Sequence, residues 1–296
     1  MLNKKGQTEN EFLTNYDASR YERPSVSVDI LVFTVTDGPA DNYRKLPEKE
    51  LRLLLVKRGE HPHLGKWALP GGFVKMDENL DKAALRELKE ETNVDNIYLE
   101  QLFSWGEVGR DPRTRVISVS YMSLVDSSAL DIRANDDAED ARWFTVSLKL
   151  FREQRTETET GYRHESLYKL KLTGGEDALQ AVIRKVTEKT ERSIKTYREV
   201  IEGDGIAFDH GEMIEYGLER LRSKIEYTPV GFYLMPELFT LTELQQVYEV
   251  ILGKELLKAN FRRKIQDRVT ETNQYRKDAG HRPSKLFRFN ADPWEE

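Results

Sequence analysis

The chain has 296 residues, a formal net charge of −6, 38% hydrophobic and 10% aromatic residues, and no cysteine. That length and apolar content suffice for two domains with buried cores, while the lack of thiols excludes disulfides and thiolate metal sites. No run of about 18 apolar residues marks a membrane span, and Met1–Asn10 has no apolar signal core, so a cytoplasmic protein is expected.

In chain order, Val26–Thr36 and Leu51–Lys57 are rich in β-branched and aliphatic residues and read as strands, with a polar loop, Asp37–Lys49, between them. The run Trp67-Ala-Leu-Pro70-Gly71-Gly72 predicts a short strand ending in a tight turn, where glycine leaves backbone groups free to face a ligand. Leu80, Ala84, Leu85 and Leu88 then recur at helical spacing, predicting a helix over about 79–92. On that helix Glu87, Glu90 and Glu91 fall within about 100° of one another. They flank the apolar stripe instead of opposing it, as a merely solvated acidic face would. Like charges at this spacing repel by a few tenths of a kcal/mol, a penalty that a divalent cation removes. Oxygen-only ligands favour Mg²⁺ or Mn²⁺.

Further strands are expected at Ile97–Trp105, Arg115–Val125 and Ala141–Phe144, a second helix near Leu148, and a final strand at Ser166–Leu172 ending at Gly174-Gly175. The charged stretch 176–202 has apolar positions Ala178, Leu179, Val182, Ile183 and Val186, and reads as an exposed or linking helix. After Gly203-Asp204-Gly205 a new helix runs from near Ile206 through Ile225, with Asp209 as its cap. Thr240 and Glu243 fit a capping box for a helix that ends at Gly253, and a basic helix, Lys258–Arg268, follows within a few residues. Two helices joined by a short turn make a helix-turn-helix candidate, with His281–Phe289 as a wing-like strand. Residues 255–290 hold ten lysines and arginines against four acids, a local +6 within an acidic chain, which points to a polyanion partner. The expected organisation is a first domain over 1–175, a helical linker over 176–228 and a second domain over 229–296.

Residues 72–94 carry a family resemblance. Gly72, Glu78, Arg86, Glu87, Leu88, Glu90, Glu91 and Val94 fall in register with the Nudix box, and Asn93 stands where that pattern has glycine. Asparagine is the non-glycine residue that best tolerates the left-handed conformation wanted after a helix. The resemblance, over about residues 20–175, implies an α+β Nudix fold in which a mixed β-sheet lies between helices. It also implies metal-dependent cleavage of a nucleoside diphosphate derivative.

Under that resemblance Glu87, Glu90 and Glu91 hold the cation, which neutralises the diphosphate and activates a water. Arg86 fixes the carboxylate rotamers, and Glu78 anchors the helix start. Either Glu90 or Glu91 assists as base, or the base comes from a loop, where Glu139 and Asp140 read more plainly as a solvated acidic turn. Arg58, Arg110 and Arg113, together with Gly71 and Gly72, are candidate substrate contacts, since guanidinium forks suit phosphates.

"AFDH" at 207–210, "FTLTELQQVYE", "NFRRK" and "RPSKLFRF" extend the resemblance to the Nudix-related transcriptional regulators, which pair a Nudix domain with a C-terminal winged helix and respond to ADP-ribose-type ligands. This implies binding of double-stranded DNA by a homodimer. Asn260, Arg262, Arg263 and Lys264 would meet the groove or phosphates, and Arg282, Lys285 and Arg288 the backbone. Two other readings stay open: a catalytically silent ADP-ribose sensor, and a plain hydrolase whose C-terminal domain serves dimerisation.

Overall fold

The computed structural model describes residues 2–39, 47–93, 98–129, 141–276 and 283–291. A short helix, α1 (Glu9–Thr14), precedes a mixed sheet whose centre is β1 (Ser25–Asp37). Beside β1 lie β2 (Lys49–Lys57), antiparallel, and β6 (Val116–Leu124), parallel. The short strands β3 (Trp67–Ala68) and β4 (Gly71–Phe73) attach to β2 and β1. The strand β5 (Tyr98–Trp105) closes one edge on β6. On the other side β2 pairs with β7 (Ala141–Thr158), and the sheet continues through β8 (Gly161–Gly174), β9 (Asp177–Thr190) and β10 (Ile194–Asp204).

Two expectations need correction here. The helix expected near Leu148 is the middle of β7, and the linking helix expected over 176–202 is the hairpin β9–β10. In β9 the buried positions Leu179, Ala181 and Ile183 alternate with more exposed ones, a period of two. The pairs Ala178-Leu179 and Val182-Ile183 imitate a helical stripe, but the Val, Ile and Thr content favours a strand once β8 is there to pair with it. Gly174-Gly175 does end β8; it turns the chain directly into β9, with Gly175 at φ 55°.

Both faces of β1 are covered, which explains its unbroken apolar run. Val28, Ile30 and Val32 pack with Ala83, Ala84 and Leu88 of α2 (Leu80–Thr92). Leu31, Phe33 and Val35 face the opposite side, in one cluster with Met213, Leu218 and Leu221 of α3 (His210–Lys224). The Asn93 cap of α2 takes φ 53°, as the sequence suggested.

The C-terminal part is a winged helix. The helix α4 (Leu241–Leu252) has the Thr240/Glu243 capping box and ends at Gly253, followed by α5 (Lys258–Ile265) and a single 3₁₀ turn, Gln266–Arg268. The antiparallel pair β11 (Val269–Arg276) and β12 (Ser284–Phe289) forms the wing. Leu244, Val247, Tyr248 and Ile251 of α4 share the α3 cluster, and Arg222 Nε of α3 donates to the Ile251 carbonyl at 3.0 Å. The winged helix is thus docked both on α3 and directly on the sheet, where α4 lies against β2 and Gln246 Nε2 donates to the Pro47 carbonyl at 3.1 Å. No helix among the described residues is long and apolar enough to cross a membrane.

Within this docking, Glu212 of α3 lies against β10 and accepts from the Val200 amide at 3.2 Å; burial pushes its carboxyl up to about 7. A raised carboxyl pKa favours folding fully below the unfolded value near 4.5, and this contribution is lost as pH rises through about 7. Glu212→Gln should therefore stabilise the protein at pH 8 by about 1 kcal/mol after allowance for solvent screening, with little effect at pH 4.5. Denaturant melts at the two pH values check this; equal shifts at both would contradict it.

Candidate functional site

The Nudix-box helix is set by local bonds. Asn79 caps α2 by accepting from Lys82 N at 2.9 Å. Arg86 spans the carboxylates beside it: Nε and Nη2 donate to Glu78 at 3.1 and 2.7 Å, Nη1 donates to Glu87 Oε1 at 2.6 Å, and Glu90 lies 3.7 Å away. Glu78 also accepts from Lys75 N, and the Arg86 hydrogen bonds, then this backbone bond, pull its carboxyl down to about 2. Glu78 thereby ties the loop before α2 to the helix. Glu87 is largely covered, Glu90 is 59% exposed, and Glu91 is partly buried with a partner of its own.

The structure brings Glu87 to the turn that the sequence singled out. A Cβ on Gly72 would stand 2.2 Å from Glu87 Oε1, so the glycine leaves the space the carboxylate uses. Three carboxylates on one helix face, all oxygen donors and one lodged in this glycine cradle, fit a hard divalent cation. Among the described residues, however, no three such groups are drawn together as a closed cage. Gly71 is constrained differently, because its Cβ would meet the Val28 carbonyl oxygen at 2.2 Å. Gly71→Ala should therefore cost about 2 kcal/mol in a thermal melt, as overpacking against backbone does. Gly72→Ala, which meets only a side-chain tip, should cost much less. Equal losses would contradict the difference drawn between these glycines.

Gly71, Gly72 and Phe73 form one wall of a cleft of about 240 Å³. Its other walls come from Ser27 and Asp29 of β1, Arg58 after β2, the loop residues Arg110, Asp111 and Arg113, and Phe208 and His210 at the start of α3. The three candidate arginines therefore converge, in different states. Arg113 chelates its neighbour Asp111 at 3.0 and 2.7 Å, and those bonds hold the Asp111 carboxyl below its usual range. The Arg110 side chain is largely covered and grips Asp209 with two bonds of 2.8 Å, with Asp29 3.9 Å away. Burial opposes its charge, but Asp209 and Asp29 outweigh this and raise its pKa. Arg58 donates Nε to the Pro62 carbonyl at 2.7 Å and lies 4.8 Å from the Phe208 ring centroid, with no carboxylate ion-paired to it among the described residues. Its pKa is lowered, first by burial and then by Arg113, so an anion in the cleft would relieve it.

Phe208 and His210 were missed as cleft residues. Phe208 adopts φ 51°, which is rare for an aromatic residue, and its ring also meets His63 at 4.5 Å. His210 is buried, and its Nδ1 accepts from Leu69 N at 2.9 Å, so the ring is neutral with its proton on Nε2, 3.6 Å from Asp29. Burial pushes its pKa down, consistent with that state. A conspicuous "FDH" at a helix start was the signal available. The expected Asp209 cap is corrected: Asp209 occupies the N-cap position, but its side chain bonds Arg110 and makes no cap.

On α5, Asn260, Arg262, Arg263 and Lys264 are all exposed, while Phe261 and Ile265 anchor the helix from its inner face. Lys285 pairs with Glu271 across the wing, and Arg288 lies 3.6 Å from Glu237. Arg282 falls outside the described residues, as do Glu139 and Asp140.

A Nudix-type sheet with its box helix, a cationic cleft and a docked winged helix define a two-domain Nudix protein. The NUDIX domain model matches residues 45–163, and the NrtR DNA-binding winged helix domain model matches residues 231–289. The chain is 34% identical to the ADPR responsive transcriptional repressor NtrR of Acinetobacter baylyi, over 97% of this chain and 91% of that protein. An ADP-ribose pyrophosphatase of Methanocaldococcus jannaschii is 33% identical over 46% of this chain and 80% of its own length. The crystal structure of Shewanella oneidensis NrtR complexed with a 27mer DNA aligns with a TM-score of 0.60 at 29% identity, covering 90% of this chain and 94% of that one. The chain belongs to the NrtR family of Nudix proteins with a C-terminal winged helix.

Proposed function

We propose that this protein is a nucleotide-responsive transcriptional regulator of NAD or sugar metabolism, whose Nudix domain binds and hydrolyses a nucleoside diphosphate derivative, ADP-ribose foremost. The observation that carries this reading is the convergence of Arg58, Arg110 and Arg113 in a cleft bounded by the Gly71-Gly72 turn of the Nudix box and by the residues that start α3. A cleft so lined suits a diphosphate with bulky groups on either side. The name of the Acinetobacter relative supports ADP-ribose as effector, and that of the Methanocaldococcus relative supports it as substrate.

In this reading Glu87, Glu90 and Glu91 hold Mg²⁺ or Mn²⁺, and the charge neutralisation and Lewis acidity supplied there act on the diphosphate. Arg86 keeps Glu87 oriented. Arg58, which has no carboxylate partner among the described residues, takes a phosphate oxygen, with Arg113 beside it. Water attacks one phosphorus and its bond to the bridging oxygen breaks, giving AMP and ribose 5-phosphate from ADP-ribose. Glu90 or Glu91 serves as base. One observation favours a second reading, binding without turnover: Arg86 already occupies Glu87. Incubation with ADP-ribose and Mn²⁺ separates the two. AMP release that Glu90→Gln abolishes, with the melt unchanged, is the expected result; no AMP leaves the sensor.

The winged helix grips an operator, the protein acting as a homodimer in the cytoplasm. The exposed basic face of α5 supports this, as does the alignment with a DNA-bound relative. Asn260, Arg262, Arg263 and Lys264 meet bases or phosphates, and Arg282, Lys285 and Arg288 meet the backbone. If Arg262 and Arg263 contact phosphates, replacing either by alanine should lower the slope of log affinity against log salt by about one. Unchanged slopes would remove them from the interface.

A further inference from the structure

The cleft's arginines differ in how far their partners lie along the chain. Arg113 is held by Asp111, two positions away, and Arg58 has no ion-pair partner among the described residues. Arg110 reaches across 99 positions to Asp209, so one ion pair fastens the cleft loop to the start of α3. Both members of that pair have a second use. Arg110 lines the cleft, where an anionic ligand would offer it phosphate oxygens. Asp209 sits at the N-cap of α3, where a carboxylate ordinarily accepts from backbone amides of the first turn. Exchanging one arrangement for the other leaves neither charge unpaired, which is the condition for a nearly balanced two-state element.

The far end of α3 is fixed to the winged helix. Arg222 bonds the Ile251 carbonyl, and Leu218, Leu221 and Ile225 share a core with Leu244, Val247, Tyr248 and Ile251. A 15-residue helix is a rod of about 22 Å, so a shift at His210 reaches the other end. Building on the nucleotide reading given above, we propose that the Arg110–Asp209 pair is a latch opened by the ligand: the diphosphate takes Arg110, Asp209 turns to cap α3, and α3 carries the change to the winged helix. Asp209 is then a positioning residue, competing with the ligand for Arg110.

The test uses the full-length protein without divalent cation, so that nothing is cleaved, and compares wild type with Asp209→Asn. Asparagine caps a helix well but cannot form the ion pair, so the variant mimics the open latch. Calorimetric titration should show ADP-ribose and inorganic pyrophosphate binding the variant about tenfold more tightly, the scale of one charged hydrogen bond. A merely structural pair would leave affinity unchanged or weaken it, and either result overturns the latch. Hydrogen exchange on the wild type alone gives an independent measurement should the variant fold poorly. Saturating ligand should slow exchange at Gly211 and Glu212, and unchanged or faster exchange there overturns the latch. If the wild type binds ADP-ribose and the variant binds it no more tightly, only the latch fails. If the wild type binds neither probe, the nucleotide reading fails and the latch with it.

Discussion

The link between the cleft and the winged helix depends on how the segment before α3 is clamped to the sheet. Trp67 N donates to the Gly205 carbonyl and Ala207 N to the Trp67 carbonyl, each at 2.8 Å, and Leu69 N donates to His210 Nδ1. These three bonds stitch residues 205–210 along β3 as a short parallel pairing. The imidazole stands in for a backbone acceptor where the helix begins, which is possible only while the buried ring is neutral. The clamp fixes the direction of α3, and the winged helix rests on α3 and on β2. The same clamp puts Phe208 and His210 into the cleft, so residues at the start of a helix that supports the winged helix also line the cleft. Phe208 keeps its left-handed backbone against a cost of about 1–2 kcal/mol, held between Arg58 and His63. Strain retained at such a junction points to a working part of the molecule.

The sheet separates two tasks. On one face α2 carries the carboxylates, packed through Ala83, Ala84 and Leu88; on the other α3 carries the link to the winged helix. Gly71 and Gly72 let the cleft lie against both. The Val28 carbonyl presses where a side chain on Gly71 would be, so β1 and the cleft wall approach more closely than any larger residue allows there, while Gly72 leaves the Glu87 carboxylate its space.

Elements specified by local chemistry were legible in the sequence. The Nudix-box helix, its left-handed Asn93, the Thr240/Glu243 capping box and the Gly253 stop depend on residues at most four apart, and each stands where the sequence put it. The strands of the first half were legible because β1 and β2 are apolar on both faces. The β9–β10 hairpin was not, because its residues suit a helix or a strand and β8 decides between them across the Gly174-Gly175 turn. The cleft was half legible. Its three arginines were singled out by their phosphate-binding chemistry, but their different states come from partners far along the chain, Asp209 above all. Phe208 and His210 escaped because the local "FDH" marks a helix start without showing that it folds back onto β3.

The coupling to be tested is one through α3 between a nucleotide in the Nudix cleft and DNA on the winged helix. It is tested most directly by measuring the affinity of the full-length protein for the DNA upstream of its own gene at fixed salt, with and without saturating ADP-ribose and with no divalent cation present. The expected result is sequence-preferring binding whose dissociation constant ADP-ribose shifts by about tenfold, within the usual range of coupling between sites. Tight ADP-ribose binding that leaves the DNA affinity unchanged would contradict it.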